Sequence, residues 1–115
     1  MSAPSMDPVL DREVALSRVG GDVELLKEIA VLFLSEYPKI LDELRSAAER
    51  GDARRMERTA HSLKGSVSNF GACAAVEAAR SLEAMGRARQ LEQAVQVIRT
   101  LELALAALGA ELEQL

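Results

Sequence analysis

The single histidine of the chain, His61, lies in a segment with the pattern of an amphipathic helix. Lys64 follows it by three residues and Gly65 by four. Residues at these spacings are neighbours on a helix surface, so both are expected to lie beside the imidazole. A neutral imidazole is a nucleophile, and a lysine ammonium attracts an anion held nearby. The three residues therefore predict a histidine that is presented for chemistry.

The helix that carries His61 is predicted over residues 52–70, because its apolar residues recur in alternating steps of four and three. These residues are Met56, Ala60, Leu63, Val67 and Phe70. At about 100° per residue, His61 lies roughly 140° from the centre of this apolar stripe. The imidazole is therefore predicted to face solvent and not the core. An ordinary exposed histidine without a function would occupy the same position in the pattern.

Gly65 strengthens the functional interpretation. A glycine inside a helix costs about 1 kcal/mol relative to alanine, and the sequence offers no obvious compensation on this exposed face. Without a side chain at this position, the backbone of another molecule could approach the ring of His61. The alternative is that Gly65 admits a neighbouring helix of the same protein, although it lies opposite the apolar stripe.

Further polar residues share the half of the helix that carries His61. We predict that Arg54, Glu57, Arg58 and Ser68 contact a partner. A basic rim on or near the His61 face of this acidic protein favours an anionic group and an acidic partner surface; it consists of Arg54, Arg55, Arg58 and Lys64. A solvated face with scattered charges is the alternative. Glu57 is the only carboxylate that the sequence lets us assign to a position near His61, so the acid–base pair of a hydrolase would have to use Glu57.

The segment around His61 closely resembles the signature of histidine-containing phosphotransfer (HPt) domains of multistep two-component signalling. The resemblance is carried by residues 60–72, and also by Gly20-Gly21-Asp22, residues 33–38, Arg50-Gly51-Asp52 and Ser81-Leu82-Glu83. It implies that His61 is the phosphorylated residue, that Lys64 assists the phosphoryl group and that Gly65 gives the partner room. At these three positions the sequence does not depart from the family pattern.

The resemblance implies a phosphocarrier that is not itself an enzyme. His61 would accept a phosphoryl group from the aspartyl phosphate of a receiver domain and pass it to another receiver aspartate. No cofactor is expected in this chain, and the Mg²⁺ that phosphoryl transfer requires is expected on the partner receiver. Two alternatives stay open: a phosphoacceptor domain that takes phosphate directly from the ATP-bound catalytic domain of a chemotaxis-type or hybrid histidine kinase, and a silent helical adaptor.

Composition and charge restrict the class of protein. A length of 115 residues predicts one domain, here residues 7–115 after a disordered tail over residues 1–6. The net charge of −4 argues against non-specific binding to nucleic acid. No apolar run is long enough to cross a membrane, and no secretory signal is apparent. The lone Cys73 fits a reducing cytoplasm, and the family resemblance suggests a monomer.

Alanine, leucine, glutamate and arginine are abundant and only 3% of the residues are aromatic, which favours an all-α fold. A short helix is expected from Asp7-Pro8 to Leu16, and four long helices after it. Gly86 is expected to end the third long helix, and the last is expected to begin near Leu91 with Val95 facing inward. Because the connections are short, the expected architecture is an antiparallel up-down-up-down four-helix bundle with a short extra N-terminal helix.

Overall fold

A computed structural model describes residues 9–115, and all regular secondary structure in this range is helical. The helices are α1 (Arg12–Arg18), α2 (Val23–Arg50), α3 (Ala53–Ser68), α4 (Cys73–Ala88) and α5 (Ala94–Leu112). The predicted all-α class is confirmed. The predicted disordered tail over residues 1–6 lies outside the described residues.

Three aspartates determine where helices begin. The side chains of Asp11, Asp22 and Asp52 each accept a hydrogen bond from the backbone N–H three residues later, at 3.1–3.2 Å. Such a cap satisfies a donor that has no partner within the helix. Asp7 and Pro8, which the sequence analysis chose as the start of the first helix, lie outside the described residues. The helix begins only at Arg12, because Asp11 is its cap, and it continues past Leu16 to Arg18.

The helices contact one another in a closed cycle: α2 packs on α3, α3 on α4, α4 on α5, and α5 back on α2, while α1 contacts α2. One buried leucine from each long helix illustrates the shared core: Leu44, Leu63, Leu82 and Leu105. Burying such a side chain completely contributes about 1.5–3 kcal/mol. This aliphatic core is what holds α3 and α4 in a fixed relation to each other.

The inward face of α5 differs from the predicted one by one residue at its start. Val95 is 61% exposed, whereas Ala94 is fully buried. The buried positions 94, 98, 101 and 105 follow steps of four, three and four, and Val95 does not belong to this series. The helix also begins at Ala94 and not at Leu91.

Gly86 does not end α4, as the sequence analysis expected, because the helix continues to Ala88 and Arg89 is its C-cap. Gly86 is buried where α4 crosses the start of α3. A Cβ atom at this position would lie 2.5 Å from the backbone nitrogen of Glu57 and 2.7 Å from the carbonyl oxygen of Ala53. The missing side chain therefore lets the backbones of α3 and α4 approach closely, two turns from His61.

We expect Gly86→Ala to lower the free energy of unfolding by about 2–3 kcal/mol, because backbone atoms cannot move aside as a side chain can. Urea unfolding followed by circular dichroism measures the change. Gly65→Ala is the matched control: a Cβ atom at Gly65 meets nothing within 4 Å, so this substitution should stabilise the protein by up to about 1 kcal/mol. Equal effects of the two substitutions would contradict the close approach of the two helices.

Candidate functional site

His61 lies in the third turn of α3, on the face opposite the helix's buried side chains. The imidazole is 67% exposed, whereas Ala60 and Leu63 on either side of it are fully buried. The helical phase predicted this orientation, and the structure agrees with it. The ring is therefore accessible to a second molecule.

A buried carboxylate from the neighbouring helix holds one side of the ring. Glu83 of α4 is 5% exposed, and its Oε2 lies 2.6 Å from Nδ1 of His61. Its other oxygen, Oε1, accepts a hydrogen bond of 2.6 Å from Nζ of Lys64. Glu83 thus connects the two residues that the sequence analysis selected for chemistry.

The electrostatics of this cluster keep Glu83 ionised. The Lys64 ammonium lowers the pKa of the Glu83 carboxyl below its ordinary value, and the hydrogen bond from His61 adds to the effect, although burial acts in the opposite direction. An ionised carboxylate can only accept hydrogen bonds, so Nδ1 of His61 must be the donor. A neutral ring with its proton on Nδ1 has its free lone pair on Nε2.

Lys64 is less free than the sequence suggested. Its side chain is 28% exposed, and its ammonium is bound to Glu83. The position one turn from His61 agrees with the prediction, but in this state the charge is directed at the carboxylate beside the ring. A phosphoryl group on the outer side of the ring would have to compete with Glu83 for this ammonium.

Gly65 lies on the exposed surface of α3. A Cβ atom built there meets no atom within 4 Å apart from the helix's own nearby backbone. The interpretation in which Gly65 admits a neighbouring helix of the same protein is therefore wrong. Its backbone borders open space beside His61.

The four residues predicted to contact a partner do not form one uniform surface. Arg54 and Arg58 are exposed and line a groove toward α2. Glu57 faces α4, where its Oε2 accepts a 3.0 Å hydrogen bond from Nε of Arg87. The hydroxyl of Ser68 donates a 2.7 Å hydrogen bond to the carbonyl oxygen of Lys64. The surface around His61 is therefore basic on its α2 side and ion-paired on its α4 side.

Comparison with known proteins identifies the family. The family model for the Hpt domain matches residues 28–111, which includes His61, Lys64, Gly65 and Glu83. The chain belongs to the Hpt domain family. Among solved structures it is similar to histidine-containing phosphotransfer protein B (HptB) from Pseudomonas aeruginosa PAO1, with 29% sequence identity, a TM-score of 0.86 and 93% of each chain covered. No curated protein matches the chain significantly.

The role of histidine phosphotransfer in phosphorelay signalling follows from this membership. Within residues 9–115 of this Hpt domain, no three His, Cys, Asp or Glu side chains are grouped so that they could hold a metal ion. None of the helices described for it is long and apolar enough to span a lipid bilayer.

Sequence reasoning missed the contact between His61 and Glu83 in this Hpt domain, although the resemblance included Glu83. Only Glu57 was assigned to a position near the ring, and the structure shows instead that Glu83 bonds to it. One signal was available: Glu83 follows Ala75 and Ala79 at steps of four, so it continues a buried series of α4. A carboxylate in such a series needs a buried cationic or donor partner, and pairing it with α3 required the tertiary contact.

We expect the stability of this Hpt domain to decrease as the pH falls below about 4.5, with Glu83 contributing to the loss. Because its pKa is lower in the folded than in the unfolded protein, the unfolded state binds the proton first, and stability rises with pH in this range. In Glu83→Gln the slope of unfolding free energy against pH should be smaller below about pH 4.5.

Urea unfolding at several pH values measures this slope. Glu77→Gln removes an exposed carboxylate from the same helix and serves as the control for the loss of charge as such. If both variants change the slope equally, the pH dependence of stability is not due to Glu83 in particular. The same conclusion follows if Glu83→Gln leaves the slope unchanged.

Proposed function

We propose that this Hpt domain is a phosphorelay intermediate: His61 accepts a phosphoryl group from the aspartyl phosphate of one receiver domain and passes it to the aspartate of another. The observation that carries the proposal is the contact of Nδ1 of His61 with the buried carboxylate of Glu83. It directs the free lone pair of Nε2 away from the bundle, on an imidazole that is 67% exposed.

In the proposed step, the lone pair of Nε2 attacks the phosphorus atom of the aspartyl phosphate. The N–P bond forms as the bond between phosphorus and the aspartyl oxygen breaks, and the aspartate leaves as a carboxylate. The proton on Nδ1 stays on the ring, where Glu83 stabilises the positive charge that develops during the attack. The reverse reaction, with a second receiver aspartate as nucleophile, regenerates the neutral ring.

Lys64 and Gly65 have supporting roles in this proposal. The ammonium of Lys64 is one turn from His61 and can exchange its bond to Glu83 for one to the phosphoryl oxygens, whose negative charge it would offset. The open space over Gly65 would accommodate the receiver as it brings its aspartate in line with Nε2.

The direct partners in this proposal are receiver domains. A histidine kinase takes part if it phosphorylates the receiver that donates the phosphoryl group. The receiver supplies the Mg²⁺ and the acyl phosphate, so this chain acts as a carrier without an ATP site of its own. We propose that it acts as a monomer in the cytoplasm, which fits a chain whose single cysteine has no partner for an internal disulfide.

The proposal includes an up-down-up-down arrangement of the four long helices. Contacts between residues far apart in sequence support it. Arg45 and Glu102 form an ion pair between α2 and α5, and Gly109 of α5 lies beside Tyr37, nearer the start of α2. From the first contact to the second, the position moves toward the start of α2 and toward the end of α5. These two helices are therefore antiparallel neighbours.

A phosphotransfer assay tests the function. The purified chain is mixed with receivers that carry labelled phosphate, and the labelled product is treated with acid and with base. We expect label that is lost in acid and retained in base, as for a phosphoramidate. Absence of transfer from every receiver of the same organism, or acid-stable label, would overturn the proposal.

A further inference from the structure

A cluster of arginines beside His61 includes three arginines of the predicted basic rim and extends to Arg89. A groove of about 650 Å³ between α2 and the first half of α3 is lined by Arg54, Arg55 and Arg58. Arg54 also lines an adjoining groove of about 380 Å³ together with Arg89, the C-cap of α4. We call these four residues the arginine surface.

The guanidinium groups of the arginine surface have no acidic partner within the described part of the chain. All four residues are exposed, and none takes part in an ion pair there. By contrast, Arg45, Arg80 and Arg87 each form at least one ion pair. Four exposed arginines of an acidic protein, whose net charge is −4, thus have no ion-pair partner among the described residues.

The carboxylates in and beside these grooves accept hydrogen bonds from other groups. Asp52 caps α3 through a 3.1 Å bond from the backbone nitrogen of Arg55. Glu43 accepts a bond of 3.5 Å from the hydroxyl of Thr59, and Glu57 pairs with Arg87. The arginines therefore stay available to carboxylates from outside the chain, which a guanidinium can bind through two parallel hydrogen bonds.

The arginine surface is continuous with the site of phosphotransfer. Ser62, which follows His61 directly, lines the larger groove, and Arg58 is one turn before His61 on α3. A partner whose active site covers His61 would extend over this groove. We propose that the arginine surface binds an acidic side of the receiver domain and determines the rate and selectivity of its docking, an inference that rests on the proposed function.

Charge favours a protein as the occupant over a nucleic acid. The net charge of the chain repels a polyanion at long range, and Glu43 and Asp52 line the same groove as the arginines. Carboxylates spaced on a folded surface can bind the guanidinium groups while avoiding these two acids. A continuous phosphate backbone would contact both.

The first experiment does not depend on phosphotransfer. Amide ¹H–¹⁵N spectra of the whole chain are recorded during titration with hexaglutamate and, separately, with hexathymidylate. We expect hexaglutamate to shift the resonances of residues 52–58 and of Arg89, and to bind more tightly than hexathymidylate. Shifts spread evenly over the helices, no shifts at these residues, or tighter binding of hexathymidylate would overturn the inference.

The second experiment compares two charge-reversed variants with equal net charge. Arg55→Glu combined with Arg89→Glu changes the arginine surface, whereas Arg18→Glu combined with Arg99→Glu changes exposed arginines on α1 and α5. We expect the first pair to lower the second-order rate constant of transfer from a phosphorylated receiver by about tenfold at low salt. The loss should diminish at high salt, and the first-order rate at saturating receiver should be unchanged.

Circular dichroism and thermal unfolding test whether both variants fold. Equal losses in the two variants would indicate an effect of net charge alone and would overturn the inference. A loss confined to the first-order rate would also overturn it, because docking would then be intact. If the wild-type chain accepts no phosphate from any receiver, the proposed function fails, and the titration with hexaglutamate still decides whether the surface binds carboxylates.

Discussion

Replacing His61 by glutamine is expected to abolish phosphate uptake from a phosphorylated receiver while the helices stay folded. The chain contains no other histidine, so no second imidazole can replace the lost nucleophile. Glutamine has no nitrogen lone pair available for attack, because its amide nitrogen is conjugated with the carbonyl group. The measurement is the incorporation of label after mixing with a receiver that phosphorylates the wild-type chain.

Folding of the variant must be checked independently. His61 is exposed and its contact with Glu83 is the one polar bond that the substitution alters, so we expect the free energy of unfolding to change by less than about 1 kcal/mol. Urea unfolding measures this change. Label retained by a folded His61→Gln variant would show that another residue carries the phosphate, and the assignment of His61 would be wrong.

Gly65→Gln is expected to reduce transfer by about 100-fold or more, because its side chain fills the space through which the receiver approaches His61. Stability should be maintained or slightly increased, since a Cβ atom at this position meets nothing in the folded chain and glutamine favours a helix more than glycine does. Rapid-quench kinetics at several receiver concentrations would separate the docking of the receiver from the transfer step, and we expect the loss in docking.

Gly65→Ala is the graded control for this substitution. It removes the conformational freedom of glycine in the same way but adds only one methyl group, so it should retain most of the transfer rate. Undiminished transfer in Gly65→Gln would mean that the glycine does not provide access for the receiver. Equal losses in the alanine and glutamine variants would indicate that the helix backbone, and not the open space, is what matters.

Much of the architecture was predictable because it depends on local sequence. The apolar spacing around His61 predicted both the helix and the outward orientation of the ring, and both agree with the structure. Asp22 and Asp52 directly precede α2 and α3 and cap them through local hydrogen bonds. The start of the first helix was predicted wrongly, at Asp7, whereas Asp11 is its cap. Both aspartates are suitable caps, and the local sequence does not distinguish them.

The sequence by itself determined which face of α3 presents the single histidine, because helical periodicity fixes the orientation of His61 relative to the apolar stripe. The proposal that this histidine carries a phosphoryl group came from the family resemblance. Only the tertiary structure decided how that imidazole is held. Glu83 lies 22 residues from His61 in the chain, and the close approach of α3 and α4 at Gly86 brings their backbones together. Contacts between helices depend on how side chains pack across them, and the periodicity of one helix contains no information about the distance to the next.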